Sequence, residues 1–567
     1  MLSKGFGFRN SCFWIAIVFA VGAFVQAMPV QGQANAAPVP EQPGKSSATF
    51  RAESRLVVVD VVVTKHREPV TGLTQSDFQV LEDGKRQQIQ FFEAHVPSTS
   101  TQKVALPEHQ YSNLSDETPS SVNIVLFDLL NTPLTDQPYA REQMVQFLKT
   151  LPPGRQVALF ELGGTLRMLA GFRATSDELL AAAKKVVPHR SALLDTQDSR
   201  EEAQDQIGLA RDGSMNQEFF DRMADFLAET TAARDQDRAK ITLQALKDIT
   251  HAVSGFRGRK NLIWLSEEFP VYFGPQMNAS DPSASARNYF EVMHDTAGLL
   301  SSAQISIYPI DVRGLISGLT TASSGGGDRS NERIRPIEDL HLEMDNLARE
   351  TGGRAYYDTN DLKLAMQRSI ENGSHYYTVA YVPQRQNWDS KYHHIKVQLA
   401  HSGLDAEYRK GYFANPQKDR PTDQARADLI SALQPATPQS TMLALKAKVS
   451  LPDSDHPKVR IDCIVDGSAL AFTTGDGNRE TAHLQFETVA WSPDLKVKAN
   501  ASHIVELSLP QEKYEQVVHN GLAAHQELQL APGIYNIRVG VLDDGNKKIG
   551  TLDIPLRVNE VIKASQK

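Results

Sequence analysis

Apolar runs and amphipathic stretches alternate along the middle of the chain. The segments "VNIVLFD", "NLIWLSE" and "ISIYPIDV" are mostly apolar, which is typical of strands buried on both faces of a parallel sheet. The segments between them, such as "QPYAREQMVQFLKTL" and "IEDLHLEMDNLARETGG", carry apolar residues at every third or fourth position and predict helices. This order of strands and helices predicts a mainly parallel sheet with helices on both faces.

Two other parts of the chain have the period of two that is typical of antiparallel strands. The stretch "RLVVVDVVVTKHREPVTGLTQSDFQVLEDGKRQQIQFFEA" predicts a small β module with a hairpin turn at Asp83 and Gly84. Toward the C-terminus, segments such as "VRIDCIVD" and "HIVELSLP" follow one another at the spacing of a β-sandwich. Cys463 lies in the first of these segments and is predicted to be a core thiol.

Three further strands are predicted between the helical region and the sandwich, in "HYYTVAYVP", "HHIKVQLA" and "EYRKGYFA". They either extend the α/β sheet at its edge or form a flap on it. His393 and His394 are neighbours on the second of these strands, so their side chains point to opposite faces. We therefore do not expect these two histidines to bind one metal ion together.

The N-terminus has the features of an export signal. Lys4 and Arg9 precede an apolar stretch, and small residues at Ala27, or at Ala34 and Ala36, offer cleavage sites. The apolar stretch is shorter than the roughly 20 residues that a membrane-spanning helix needs. We expect cleavage, no stable membrane span afterwards, and a mature protein in the periplasm or outside the cell.

Length and charge restrict the class of protein. A chain of 567 residues exceeds the usual size of one domain, and its net charge of -9 is spread along the sequence, so nucleic acid is not an expected partner. The predicted layout is a signal peptide (1–36), a linker (37–49), a small β module (50–98), a linker (99–121), an α/β domain (122–415), a linker with a helix (416–440) and an immunoglobulin-like β-sandwich (441–567).

Several segments of the middle region resemble a known family. "VNIVLFDLLNT", "GFRGRKNLIWLS", "ISIYPIDVRGL", "LARETGGRAYY" and "YRKGYFA" are similar to the von Willebrand factor type A-related proteins of the Acidobacterial type. The N-terminal β module resembles the segment that precedes this domain in those proteins. The resemblance implies a Rossmann-like type A domain with a role in binding, adhesion or scaffolding. No enzymatic activity follows from it.

The resemblance also implies where a cation would bind. Type A domains carry a metal-ion-dependent adhesion site at the carboxyl edge of the sheet, with Asp-x-Ser-x-Ser after the first strand, a Thr from a second loop and an Asp after the fourth strand. Here "DLLNT" matches the acid with Asp128 and the second hydroxyl with Thr132, whereas Leu130 replaces the first hydroxyl. Ser266 or Glu267 would have to replace the later Asp, and no counterpart of the second-loop Thr is identified. The implied site is degenerate.

Two interpretations of this edge are open. Asp128, Thr132 and Glu267 bind a weakly held Mg²⁺, since this cation prefers oxygen ligands. Alternatively, Asp128 and Asn131 hydrogen-bond backbone amides at the strand-to-helix turn, and no cofactor is needed.

Four residues are candidates for a binding surface at the same edge: Asn131, Ser266, Asp311 and Arg313. Asp311 and Arg313 follow the strand in "SIYPIDVRGL", and they either shape the surface or form an ion pair with each other.

Enzyme motifs do not occur in the sequence. It contains neither H-E-x-x-H, nor G-x-S-x-G, nor the phosphate loop G-x-x-x-x-G-K-[ST]. We therefore expect a non-enzymatic binding, adhesion or scaffold protein whose partner is an unidentified envelope or extracellular protein. One alternative is a cell-envelope hydrolase with the sandwich as an accessory binding module. Two carboxylates facing each other across a deep pocket would favour it. Another alternative is a purely structural envelope component.

Overall fold

The computed structural model describes residues 56–96, 106–114, 121–152, 155–172, 174–194, 217–271, 284–315, 337–384, 388–414, 422–435, 437–453, 456–475 and 477–559. The predicted signal peptide (1–36) and first linker (37–49) lie outside the described residues. All the described residues belong to one unit, Leu56–Lys567.

The described residues begin with the predicted β strands. They are β1 Val57–Lys65, β2 Glu68–Pro69, β3 Phe78–Glu82, β4 Lys85–Gln87 and β5 Ile89–His95, followed by the short β6 Gln110–Ser112. Asp83 and Gly84 join β3 to β4 with positive φ angles of 48° and 80°, which a tight hairpin turn requires. The turn lies where the sequence predicted it.

The central sheet contains five strands. They are β7 Ser121–Asp128, β8 Val157–Leu162, β9 Leu166–Ala170, β10 Arg259–Ser266 and β11 Ile305–Asp311, in the order β9-β8-β7-β10-β11. All neighbours pair in parallel except β9, which is antiparallel to β8. The segment "RAYYD" makes one isolated parallel bridge between Tyr356 and Ile310, next to β11. This is the order of a doubly wound sheet.

Helices cover both faces of this sheet, as the apolar periodicity predicts. They are α1 Gln137–Lys149, α2 Ser176–Lys185, α3 Gln217–Val253, α4 Ala284–Ser302, α5 Ile337–Thr351 and α6 Leu362–Ser374. Residues of α1, α2 and α6 pack on one face of the sheet, and residues of α3, α4 and α5 pack on the other. No helix among the described residues is long and apolar enough to cross a membrane.

The next four strands return to the N-terminal ones. They are β12 Tyr376–Tyr381, β13 Tyr392–Leu399, β14 Asp405–Glu407 and β15 Gly411–Phe413. Two sheets result, with the orders β14-β1-β12-β5 and β15-β13-β3-β4.

This pairing differs from the predicted layout. The strands of residues 50–98 do not form a module of their own, and the three later segments pair with them instead of extending the α/β sheet. The physical reason is the burial of β1, which is buried on both faces and pairs with β12 and β14 along its two edges. The α/β region is thus inserted between two halves of one β unit.

The C-terminal part consists of two antiparallel sheets that share one hydrophobic core. Its elements are α7 Thr422–Ala432, β16 Leu445–Ser450, β17 Val459–Val465, β18 Thr473–Gly475, β19 Arg479–Trp491, β20 Val497–Leu509, α8 Gln511–Asn520, β21 Leu522–Leu528, β22 Gly533–Asp543 and β23 Ile549–Val558. The sheets have the orders β21-β17-β16-β6 and β18-β19-β22-β23, with β20 also paired to β19. Cys463 is buried in this core, and burial raises the pKa of its thiol to about 12.

The segment predicted as a linker at residues 99–121 contributes to this sandwich. β6 pairs with β16, and the Asn113 side-chain amide donates to the carbonyls of Ser440 and Leu443 at 3.0 and 2.9 Å. The segment is therefore fixed to the C-terminal sheets at this point.

Gly353 gives a test of the packing around β11. A Cβ atom at this position would lie 1.9 Å from the carbonyl oxygen of Ile307, whereas a Cβ at Gly164 would meet nothing within 4 Å. We expect Gly353→Ala to lower the free energy of unfolding by about 1–3 kcal/mol, because the backbone of β11 must move. Urea denaturation measures this, with Gly164→Ala as the control. Equal stability of the two variants would contradict the described contact.

Candidate functional site

The candidate site lies where the strand order of the doubly wound sheet reverses. From β7 the chain continues to β8 on one side, and it later adds β10 on the other side. Open α/β sheets bind ligands at such a switch point, at the carboxyl ends of the strands. Asp128 is the last residue of β7 and Ser266 is the last residue of β10. Both predicted residues therefore border this crevice.

The carboxyl group of Asp128 is surrounded by protein donors. Its Oδ1 accepts from the Asn131 backbone N–H at 3.0 Å. Its Oδ2 accepts from the Asn131 side-chain amide at 2.9 Å, from the Trp264 indole at 2.9 Å and from the Ser266 hydroxyl at 3.2 Å. Burial raises the pKa of Asp128, and these hydrogen bonds oppose that shift. Three N–H donors fit the ionised carboxylate, which only accepts.

Asn131 connects this carboxyl group to helix α3. Its side-chain amide also donates to the Thr242 hydroxyl at 3.1 Å, and its Oδ1 accepts from the Arg238 guanidinium at 3.3 Å. Both of these partners are buried residues of α3. The turn after β7 is therefore held from the sheet and from a covering helix.

Arg238 is the positive charge of the site. Its guanidinium is 3% exposed and donates to Glu268 at 2.7 Å and to Asp235 at 2.6 Å. Desolvation lowers the pKa of Arg238, but Glu268 and Asp235 together raise it above its ordinary value. A fixed cation of the protein thus lies beside Asn131.

The other two predicted metal ligands have different surroundings. The Thr132 hydroxyl is buried and has no hydrogen-bond partner among the described residues. Glu267 is half-buried, and desolvation raises its pKa to about 8, with Asp136 and other carboxylates adding to the shift and Arg313 opposing it. Neither residue is among the hydrogen-bond partners of Asp128 given above. The structure brings Asp128, Asn131 and Ser266 together in one hydrogen-bonded group.

Asp311 and Arg313 form an ion pair at the end of β11. The Arg313 Nε and guanidinium NH2 donate to the Asp311 carboxylate at 2.9 and 2.6 Å. His341 lies 3.4 Å from the same carboxylate. Asp311 is 1% exposed, so its charge is compensated locally.

These contacts determine what the edge can do chemically. Oδ2 of Asp128 already accepts three hydrogen bonds, so a cation that binds this oxygen would displace a donor of Asn131, Trp264 or Ser266, whereas Oδ1 accepts one hydrogen bond. The described arrangement satisfies the buried carboxylate with the protein alone. The metal set Asp128, Thr132 and Glu267 stays a prediction.

Sequence reasoning missed Trp264, Arg238 and Thr242. The indole N–H of a buried tryptophan usually has a hydrogen-bond acceptor. Trp264 lies in the apolar run "NLIWL", so the sequence indicates that an acceptor lies near it. No local pattern shows that Arg238 and Thr242 of α3 face the turn after β7.

A cavity of about 330 Å³ lies near the ends of β8 and β9. Its lining includes Glu161, Arg167, Lys185 and His189, and Arg167 pairs with Glu161 at 3.4 Å. The lining contains one carboxylate, so this cavity does not present the facing pair that would favour a hydrolase.

The hydrogen bond from Trp264 predicts a measurable loss of stability. We expect Trp264→Phe to lower the free energy of unfolding by about 1.5–3 kcal/mol, because a buried charged acceptor loses a donor. Trp491→Phe is the control, since its indole donates to the neutral Leu433 carbonyl at 3.2 Å and should lose only about 1 kcal/mol. Urea denaturation of both variants measures the difference. A smaller loss of stability in Trp264→Phe than in Trp491→Phe would contradict a hydrogen bond from Trp264 to a charged acceptor.

Glu267 predicts a pH dependence. Its folded-state pKa is raised from 4.5 to about 8, so the unfolded chain ionises first as the pH rises. Its contribution to stability is therefore lost between these two values. We expect Glu267→Gln to gain stability relative to the wild type as the pH rises through this window, measured by denaturation at a series of pH values. Glu512→Gln, on exposed α8, is the control. A constant difference between Glu267→Gln and the wild type would refute the shift.

The chain is similar to solved structures of other proteins at low sequence identity. No protein-family model and no curated protein matches the chain. It is similar to an aerotolerance-related membrane protein from Bacteroides fragilis (14% identity, TM-score 0.22, covering 44% of this chain and 98% of that one) and to BatB from Bacteroides thetaiotaomicron (17%, 0.20, 44% and 96%). It is also similar to proximal thread matrix protein 1 from the mussel byssus with a zinc-occupied MIDAS motif (12%, 0.22, 48% and 49%). The order of the strands in the central sheet, and not these similarities, defines the doubly wound fold.

Proposed function

We propose that this chain is an exported, non-enzymatic binding or scaffold protein that contacts a protein partner at the carboxyl edge of its doubly wound, type A-like domain. The observation that carries the proposal is a group of exposed apolar side chains in the loops of this edge. Large apolar groups exposed beside a crevice are typical of interaction sites.

The apolar group consists of Leu134, Tyr139 and Leu315, which are 44%, 37% and 62% exposed. Leu134 lies in the loop after β7, Tyr139 in the first turn of α1 and Leu315 in the loop after β11. Tyr139 and Leu315 are held at the same residue, since the Tyr139 hydroxyl donates to the Asn360 carbonyl at 2.5 Å and the Leu315 N–H donates to the Asn360 side chain at 2.8 Å. Three chain segments thus present apolar surface near one edge.

Acidic groups lie along the same edge. Asp235 is half exposed and Glu268 is partly exposed, and the single Arg238 that pairs with both compensates only one of their two negative charges. An apolar centre with carboxylates around it is complementary to a partner surface with an apolar centre and basic rim. We therefore propose a protein partner of that composition.

The proposal requires no resident cation. Arg238 supplies a positive charge next to Asn131, and the carboxylate of Asp128 already accepts hydrogen bonds from three residues. A partner could therefore bind this edge through apolar contacts and ion pairs while the Asp128 group stays intact.

Capture experiments with the full mature chain test the proposal. Immobilised wild type and Leu315→Glu are exposed to envelope and culture-fluid proteins of the source organism, with Mg²⁺ or with EDTA, and retained proteins are quantified by mass spectrometry. We expect one protein to bind the wild type equally in both buffers and at least about tenfold less to Leu315→Glu, because a charge enters the apolar centre.

Ile504→Glu is the matched control, since Ile504 is 59% exposed on β20, in the C-terminal sandwich. Unchanged capture by Leu315→Glu would overturn the proposed surface. Loss of capture in EDTA would show that binding of the partner depends on a divalent cation, which contradicts the proposal.

A further inference from the structure

A second polar cluster lies in the β unit, away from the edge of the doubly wound sheet. Glu82 and Asp83, at the β3–β4 turn, meet His393 of β13, and one ligand atom from each lies within 4.8 Å of the others. The pairing of β3 with β13 produces this arrangement, since Glu82 is in register with Ile395. Asp83 and His393 are 310 positions apart in the chain.

His393 is held in a defined orientation. Its Nδ1 lies 2.7 Å from the Asp83 carboxylate, and its Nε2 lies 3.1 Å from the Asp389 carboxylate. The ring is 7% exposed. A carboxylate on one ring nitrogen is the usual support of a histidine that binds a metal through the other nitrogen.

The two carboxylates of the cluster are oriented as well. Glu82 is 4% exposed, and its Oε2 accepts from the hydroxyls of Tyr381 and Tyr412 at 2.8 and 3.0 Å. Asp83 accepts from the His394 backbone N–H at 2.9 Å through Oδ1, while Oδ2 faces His393. All three candidate ligands are thus positioned by neighbouring groups that lie outside the cluster.

The donor set selects a class of metal. Zn²⁺ binds imidazole nitrogen and carboxylate oxygen in a tetrahedral array, so one imidazole and two carboxylates supply three of its four ligands and leave the fourth position to water. Mg²⁺ and Ca²⁺ prefer oxygen ligands only. Three carboxylates, those of Glu82, Asp83 and Asp389, surround one imidazole, which favours a divalent cation further.

We propose that Glu82, Asp83 and His393 bind one Zn²⁺ ion, with Asp389 as the positioning residue for the imidazole, and that the ion links the β3–β4 hairpin to β13. The proposal does not depend on the proposed binding edge. The ion would join two segments of the β unit, one before and one after the inserted α/β region.

Calorimetric titration of the full mature chain with ZnCl₂ tests this proposal. We expect one saturable site, binding weaker by at least about tenfold in His393→Gln and in Asp389→Asn, and a higher melting temperature with zinc in the wild type. Added Mg²⁺ should not compete.

His401→Gln is the matched control. His401 also contacts a carboxylate, that of Asp77 at 3.1 Å, and it is 61% exposed. It should bind zinc like the wild type. If His393→Gln fails to fold, as judged by circular dichroism, Asp83→Asn takes its place, because the Asp83 side chain is 43% exposed. No saturable binding by the wild type, or equal affinity in these variants, would overturn the proposal and leave the cluster as an ion-pair network.

Discussion

The buried carboxylate of Asp128 is the constraint on which the edge of the doubly wound sheet depends. A carboxylate without contact to water must find donors in the protein, because its desolvation is otherwise far too unfavourable. Here those donors come from the turn after β7 and from β10. Asn131 connects this carboxylate to α3 through its hydrogen bonds with Thr242 and Arg238. One acidic group therefore positions two strands, a turn and a helix.

The second constraint is the return of the chain to its first strands. β1 pairs with β12 and β14, and β3 pairs with β13, so the segments on either side of the α/β region form one β unit. The doubly wound sheet carries the edge with Asp128, and the β unit carries the cluster with His393. Each polar group lies at or next to the end of a strand, where backbone direction changes and side chains of separate segments can meet.

Local patterns predict much of this architecture and little of its polar chemistry. Apolar runs predict β7, β10 and β11, and the turn preference of Asp83 and Gly84 predicts the β3–β4 hairpin. The hydrogen bond from the Asn131 backbone N–H to Asp128 follows from the known behaviour of Asp side chains after a strand, whereas the side chain of Asn131 bonds to other side chains and not, as predicted, to backbone amides. The pairing of β3 with β13 is not encoded in either segment alone. For that reason the sequence of this strand alone does not predict that His393 meets Glu82 and Asp83, which lie across the sheet.

A crystal structure of the full mature chain grown with MnCl₂, with anomalous data collected at the manganese edge, tests the central claim most directly. Mn²⁺ takes the oxygen ligands that Mg²⁺ takes. The account predicts no anomalous peak beside Asp128, with Asn131 and Trp264 still donating to its carboxylate. A peak within about 2.3 Å of an Asp128 oxygen, with Thr132 or Glu267 as a further ligand, would contradict it and establish a cation site at the switch point.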